Sequence, residues 1–235
     1  MRNIGAKSPP RPEVGIATND GKSYYRMTSL LNRIGLPYVD VIIDGQFSQQ
    51  IAHLSSRMIS KEDLKVIITT RRERLLLQDC NMVCIEDLGD DVGVAKEKLL
   101  SFLHQFRETD CFVIGIDPGE RTGMVALINQ LEVESSVLSS AEETVSRVAL
   151  LLDNAPPVRK IVKIGAGMPR LAESIANRLE STYGRGLRIQ FVDERGTSTL
   201  NSRSPNRMGT RDQRAAKLIA LRQGRDYTRI GSIMS

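Results

Sequence analysis

Apolar and polar positions along the chain follow two patterns, which change over near residue 110. From about 13 to 108, short apolar runs alternate with longer segments of helical period: "EVGIAT", "KSYYRMTSLLNRIG", "YVDVIID", "KVIITT", "MVCIED" and a closing "GVAKEKLLSFLHQFRE". Strands separated by helices need crossover connections, so this half predicts a small α/β domain with a parallel sheet of about four strands. Gly35 and Pro37 close its first helix, with Gly just past the C-terminus and Pro soon after. Ahead of it, "KSPPRPE" at 7–13 carries three prolines, which exclude helix and make 1–12 an extended lead-in.

Beyond 110 the order differs. "CFVIGID", "GMVALIN" and "LEVESSVLS" follow one another with turns too short for crossover helices, which predicts an antiparallel meander. Then come helix "AEETVSRVALLLDN", strand "KIVKIGA", helix "RLAESIANRLESTYG", strand "LRIQFVD", a polar loop, and a last helix from about Arg211 to Gly224. The expected order is βββαβαβα in a mixed-sheet domain over 110–225, with 226–235 as a tail. The last helix presents an apolar face at Ala215, Ala216, Ile219 and Leu218, which holds it on the sheet.

Composition narrows the class. In 235 residues, 40% hydrophobic, no apolar run approaches the roughly 18 residues that cross a bilayer, and the N-terminal stretch has no signal-peptide core, so the expectation is a soluble, cytoplasmic protein without a membrane partner. Cys80, Cys84 and Cys111 read as reduced thiols, and neither His53 nor His104 is placed as a general base. Charge is uneven. Residues 1–110 hold 15 basic and 15 acidic side chains, so the whole excess of +5 lies in the second half. Arg188, Arg195, Arg203, Arg207, Arg211, Arg214, Lys217, Arg222, Arg225 and Arg229 contribute to it, and clustered guanidinium groups suit phosphate oxygens.

Three carboxylates stand at the edges of the predicted second sheet. Asp117 ends the strand of "FVIGIDPGERTG", Glu194 follows the strand of "QFVDERGTST", and Asp212 opens the helix of "RDQRAAKLIALRQ". Singly, each has an ordinary explanation: Asp favours turns, and a helix N-terminus favours an acidic residue. Together they are a set of hard oxygen ligands from separate elements, suited to Mg²⁺ or Mn²⁺. Asp193 is a further carboxylate, but strand alternation sends it to the face opposite Glu194.

The motifs "IGIDPGERTG", "DERGTST" and "DQRAAKLIAL" resemble, in order, those of the RuvC/YqgF group of RNase H-like nucleases, over about 110–225. The Gly-containing strand end "KIGAGMPR", where RuvC resolvases carry a Glu, makes the resemblance closer to YqgF. The polar segment "RGTSTLNSRSPNRMGTR" replaces a helix usual in that family. The resemblance implies an RNase H fold and a Mg²⁺- or Mn²⁺-dependent endonuclease with Asp117, Glu194 and Asp212 as metal ligands and catalytic residues. With such a site, Arg195, Arg203, Arg207 and Arg211 are expected to hold the nucleic-acid backbone, and Lys217 or Arg214 to reach the scissile phosphate. DNA and structured RNA both stay open as partners, and cutting a symmetric junction would call for a homodimer. With 4% aromatics and no Trp, recognition of a duplex or branched shape is expected over base stacking.

Two other readings stand beside it. One is a protein that keeps the fold and binds nucleic acid without cutting it. The other is a nucleotide-binding phosphotransferase, from "GIATNDGKS" at 15–23 or from Asp117 read as in actin-like ATPases. The first segment has five residues between its glycines where a P-loop has four, and only one RNase H-like lobe is evident. In the first half, "TTRRER" at 69–74 reads as a solvated loop with charge opposite to "EDLGDD" at 86–91.

Overall fold

The computed structural model describes residues 12–41, 64–77, 81–193 and 210–227, and the chain divides into two units, Met1–Gln105 and Phe106–Ser235. Among these residues no helix is long and apolar enough to cross a membrane.

The first unit is an α/β layer. Strands β1 (Val14–Ile16), β2 (Tyr38–Asp40), β3 (Val66–Thr69) and β4 (Met82–Cys84) form a wholly parallel sheet in the order β2-β1-β3-β4. Helix α1 (Gly21–Ile34) starts where the Asp20 side chain accepts from the Ser23 N–H, and ends at Gly35, whose φ of 72° is a left-handed turn that glycine adopts without strain. Met27, Leu30, Leu31 and Ile34 are its buried residues. "MVCIED" is not all strand: β4 ends at Cys84, and Ile85–Leu88 is a one-turn helix, α2, with Glu86 and Asp87 in its first turn. Acidic side chains there suit the helix dipole. Helix α3 (Val92–His104) follows, capped by Asp91 on the Val94 N–H.

The second unit has the βββαβαβα order of an RNase H-like fold. Strands β5 (Cys111–Asp117), β6 (Thr122–Ile128) and β7 (Leu131–Leu138) make the antiparallel meander. Helix α4 (Ala141–Asn154), β8 (Arg159–Gly165), α5 (Pro169–Tyr183), β9 (Arg188–Val192) and α6 (Thr210–Leu221) complete it, with β8 parallel to both β5 and β9. Ser140 caps α4, and Pro169 opens α5, where its missing N–H leaves no helical bond unmade.

One strand was not expected. Arg225–Asp226, β10, pairs antiparallel with β9 to give the order β10-β9-β8-β5-β6-β7. The segment from 226 therefore begins inside the sheet: Asp226 takes two bonds from Arg188 (2.7 and 2.8 Å), and the Tyr227 N–H donates to the Ile189 carbonyl.

Candidate active site

The two faces of the second sheet can be read from its register. Asp117 of β5 lies directly across from Gly123 of β6, and Gly115 from Val125. Residues directly opposite in an antiparallel pair share a face, as do residues two apart on one strand. Gly115, Asp117, Gly123, Val125 and Leu127 therefore lie on one face. Helix α6 packs on that face: Val125 and Leu127 form a buried cluster with Ala216 and Ala220, and Val113 packs against it.

Glycines set how closely α6 approaches. A Cβ on Gly115 would meet the Ala216 carbonyl oxygen and lie 2.7 Å from both the Cβ and the N of Ala220. A Cβ on Gly123 would meet the Asp212 carbonyl oxygen, 2.5 Å from its carbon and 3.1 Å from the Asp212 Cβ. The first turn of α6 thus lies directly on the residue opposite Asp117, with Cα atoms about 4.5–5.5 Å apart across such a pair. Asp117, at the strand end, and Asp212, at the helix start, come together on this face.

Polar contacts fix the helix along its length. The Gln213 Nε2 donates to the Ser135 carbonyl at 3.2 Å, and the Lys217 Nζ to Glu132 at 2.8 Å. At the far end the half-buried Lys163 ammonium donates to the Ala220 carbonyl (2.9 Å) and the Arg222 carbonyl (2.5 Å). A cation there suits the negative end of the helix dipole, although burial pushes the Lys163 pKa below its usual value.

The cations expected around the site divide. Arg211, Arg214 and Lys217 are all exposed on α6, and the Lys217 ammonium pairs with Glu132. Leu218, expected on the apolar face, is 43% exposed, while Ala216 and Ile219 are buried as expected. Glu194, Arg195, Arg203 and Arg207 fall in residues 194–209, which lie outside the described residues. Asp193 is exposed after β9, where its carbonyl accepts from Arg222. Among the described residues, no group of three or more His, Cys, Asp or Glu could hold a metal ion. Asp117 and Asp212 are two hard oxygen donors on a shared face, a donor set of the kind that suits a carboxylate-bound divalent ion.

Sequence reasoning missed several residues that matter here. Gly115 and Gly123 looked like ordinary strand positions, and only the packed helix reveals why neither carries a side chain. Arg121, exposed in the β5–β6 turn four residues from Asp117, adds a cation beside the site, and "DPGERTG" holds that signal in plain view.

Two curated relatives match the chain at 33% identity in an alignment 122 residues long that covers 47% of this chain and 85% of each relative. Both carry the name "Putative pre-16S rRNA nuclease", one from Cupriavidus necator and one from Cupriavidus taiwanensis. The chain belongs to the pre-16S rRNA nuclease (YqgF) family. The match is about one unit long, and the three stretches that resemble YqgF motifs fall in the second unit. No family model matches the chain. Among solved structures, a Bacteroides thetaiotaomicron protein with an actin-like ATPase fold overlaps with TM-score 0.25 and 6% identity, over 46% of this chain and 40% of its own. An A. aeolicus Argonaute overlaps with TM-score 0.25 and 12% identity, over 77% of this chain and 33% of its own. Overlaps this small carry no argument, and the assignment to the YqgF family rests on sequence.

Proposed function

We propose that this protein is a Mg²⁺- or Mn²⁺-dependent endonuclease that hydrolyses phosphodiester bonds in structured RNA, with ribosomal RNA precursors as the substrate class. The observation that carries the reading is the seating of Asp212 on Gly123, directly across from Asp117. The relatives' name supports nuclease chemistry and RNA as the substrate.

Asp117, Asp212 and Glu194 would hold the ions, as oxygen ligands of the kind these metals prefer. Two such ions would supply an activated water and stabilise the leaving oxygen. The chain's own part is to fix the carboxylates and bring the phosphate to them. Arg121, Arg211 and Arg214 are exposed beside the two described carboxylates, and Arg195, Arg203 and Arg207 lie in the segment joining Glu194 to Asp212. Lys217 would exchange Glu132 for a phosphate at little expense, because such a partly exposed ion pair is worth only about 0–1 kcal/mol. These contacts position the backbone without reading sequence.

The test is cleavage of a structured RNA carrying the ends of a 16S rRNA precursor, beside linear duplex and four-way-junction DNA, in Mg²⁺, Mn²⁺ or EDTA. Asp117→Asn is expected to abolish metal-dependent cleavage while folding and most RNA binding persist. An unchanged rate in that variant would end the metal-site reading. Binding without cleavage in the unaltered protein would favour a nucleic-acid-binding role, and junction cutting alone would make DNA the substrate.

A further inference from the structure

We infer that Gly123 is a positioning residue: the absence of a side chain there sets how closely the first turn of α6 brings Asp212 to Asp117. The inference rests on the metal-site reading above and adds the element that holds the two carboxylates in register. A Cβ at 123 would meet backbone atoms of Asp212, namely its carbonyl group, as well as its Cβ. Backbone in the first turn of a packed helix cannot rotate away as a side-chain tip can, so the turn itself must move. The rest of α6 resists that movement. Ala216 and Ala220 lie against Gly115, and Lys163 binds the carbonyls of Ala220 and Arg222. Displacement therefore concentrates at the start of the helix, where Asp212 is. The Gln213–Ser135 bond holds that same turn from the side.

Gly115 meets the helix as closely, but two residues further from the strand end. Its role is packing, whereas Gly123 stands between the two proposed ligands.

The consequence is a metal preference as well as an affinity. Mg²⁺ requires near-ideal octahedral geometry, so a shifted carboxylate penalises Mg²⁺ more than a more tolerant ion. Mn²⁺ binding is read directly from the electron paramagnetic resonance signal of the free ion, on the full chain and on Gly123→Ala, Gln213→Ala, Asp117→Asn and Lys163→Met, with thermal unfolding of each. Gly123→Ala is expected to weaken Mn²⁺ binding at least about tenfold, the scale on which groups that orient metal ligands act. Its cleavage should fall further in Mg²⁺ than in Mn²⁺, a split that a general loss of stability would not produce. Gln213→Ala is expected to weaken Mn²⁺ binding by a smaller factor. Lys163→Met, at the far end of the helix, is expected to lower the unfolding temperature with Mn²⁺ affinity unchanged.

A folded Gly123→Ala that binds Mn²⁺ like the unaltered protein overturns the inference. If Gly123→Ala does not fold, Gln213→Ala decides, and unchanged affinity there overturns it equally. Asp117→Asn separates this failure from that of the parent reading: equal Mn²⁺ binding with and without the Asp117 carboxylate removes the metal site, and the positioning role with it.

Discussion

Glu73 is a carboxylate with an inward task. It is 8% exposed, and it accepts from the Thr18 hydroxyl (2.6 Å), the Asn19 N–H (2.6 Å) and the Thr70 hydroxyl (2.7 Å). It thereby joins the segments that leave β1 and β3, adjacent strands of the first sheet. Burial works to raise its pKa, but these three bonds outweigh it and hold the carboxyl below the ordinary value of 4.5. A lowered folded-state pKa contributes stability above the unfolded value, and that contribution is lost as pH falls through the folded one. Glu73→Ala should therefore cost the first unit about 1–3 kcal/mol at neutral pH, the penalty of leaving buried donors unpaired. The same variant should flatten the fall in stability below about pH 4.5. Urea unfolding of both forms from pH 7 to 3 checks it, and parallel curves would assign the acid sensitivity elsewhere. The sequence places Glu73 among Arg71, Arg72 and Arg74, where the whole stretch reads as solvated. Charge composition cannot tell which of four neighbours turns inward. The structure resolves it: Glu73 turns inward to Thr18, Asn19 and Thr70, while Arg71 pairs with Asp87 of α2.

At the scale of elements, α6 was legible in its existence and in most of its apolar face, because Ala216 and Ile219 recur at helical spacing beside an acidic first turn. Its depth on the sheet was not legible, since that depends on Gly115 of β5 and Gly123 of β6, which lie about 90 to 100 residues earlier. The meander of β5, β6 and β7 was readable for the opposite reason: its turns are local, and the apolar runs of β5 and β6 are nearly unbroken. Strand β10 was invisible because Arg225 and Asp226 are both polar. Its pairing rests on Arg188 and Gln190, which hold the Asp226 carboxyl down at about 2. The far end of α6 yields a prediction of its own. Lys163→Met removes two charge-assisted bonds to helix-terminal carbonyls and should cost the second unit about 1.5–3 kcal/mol. Chemical denaturation followed by circular dichroism measures it, and a loss within error would mean that the Ala216 and Ala220 packing and the Gln213 and Lys217 contacts hold the helix without Lys163.

For the whole molecule, the relatives supply a length argument. The alignment, 122 residues long, covers 85% of each relative, so those proteins are at most about 140 residues long, with no room for a second domain the size of Met1–Gln105. If nuclease chemistry needs only one such unit, the fragment 106–235 should bind Mn²⁺ and cleave structured RNA without the first. Charge sharpens this into a measurement. Residues 1–105 hold 14 basic and 13 acidic side chains, so 106–235 carries four of the five excess positive charges. Each phosphate neutralised releases condensed counterions, so the slope of log binding constant against log salt counts phosphate contacts at about 0.7–0.9 per contact. The fragment and the full chain should therefore give the same slope on one RNA, measured by fluorescence anisotropy between low and moderate salt. Equal slopes with a lower affinity for the fragment would mean that the first unit contributes through uncharged contacts. A shallower slope for the fragment would show that arginines of the first unit, with Arg72 and Arg74 the foremost candidates beside the Asp87-paired Arg71, also lie against the phosphate backbone.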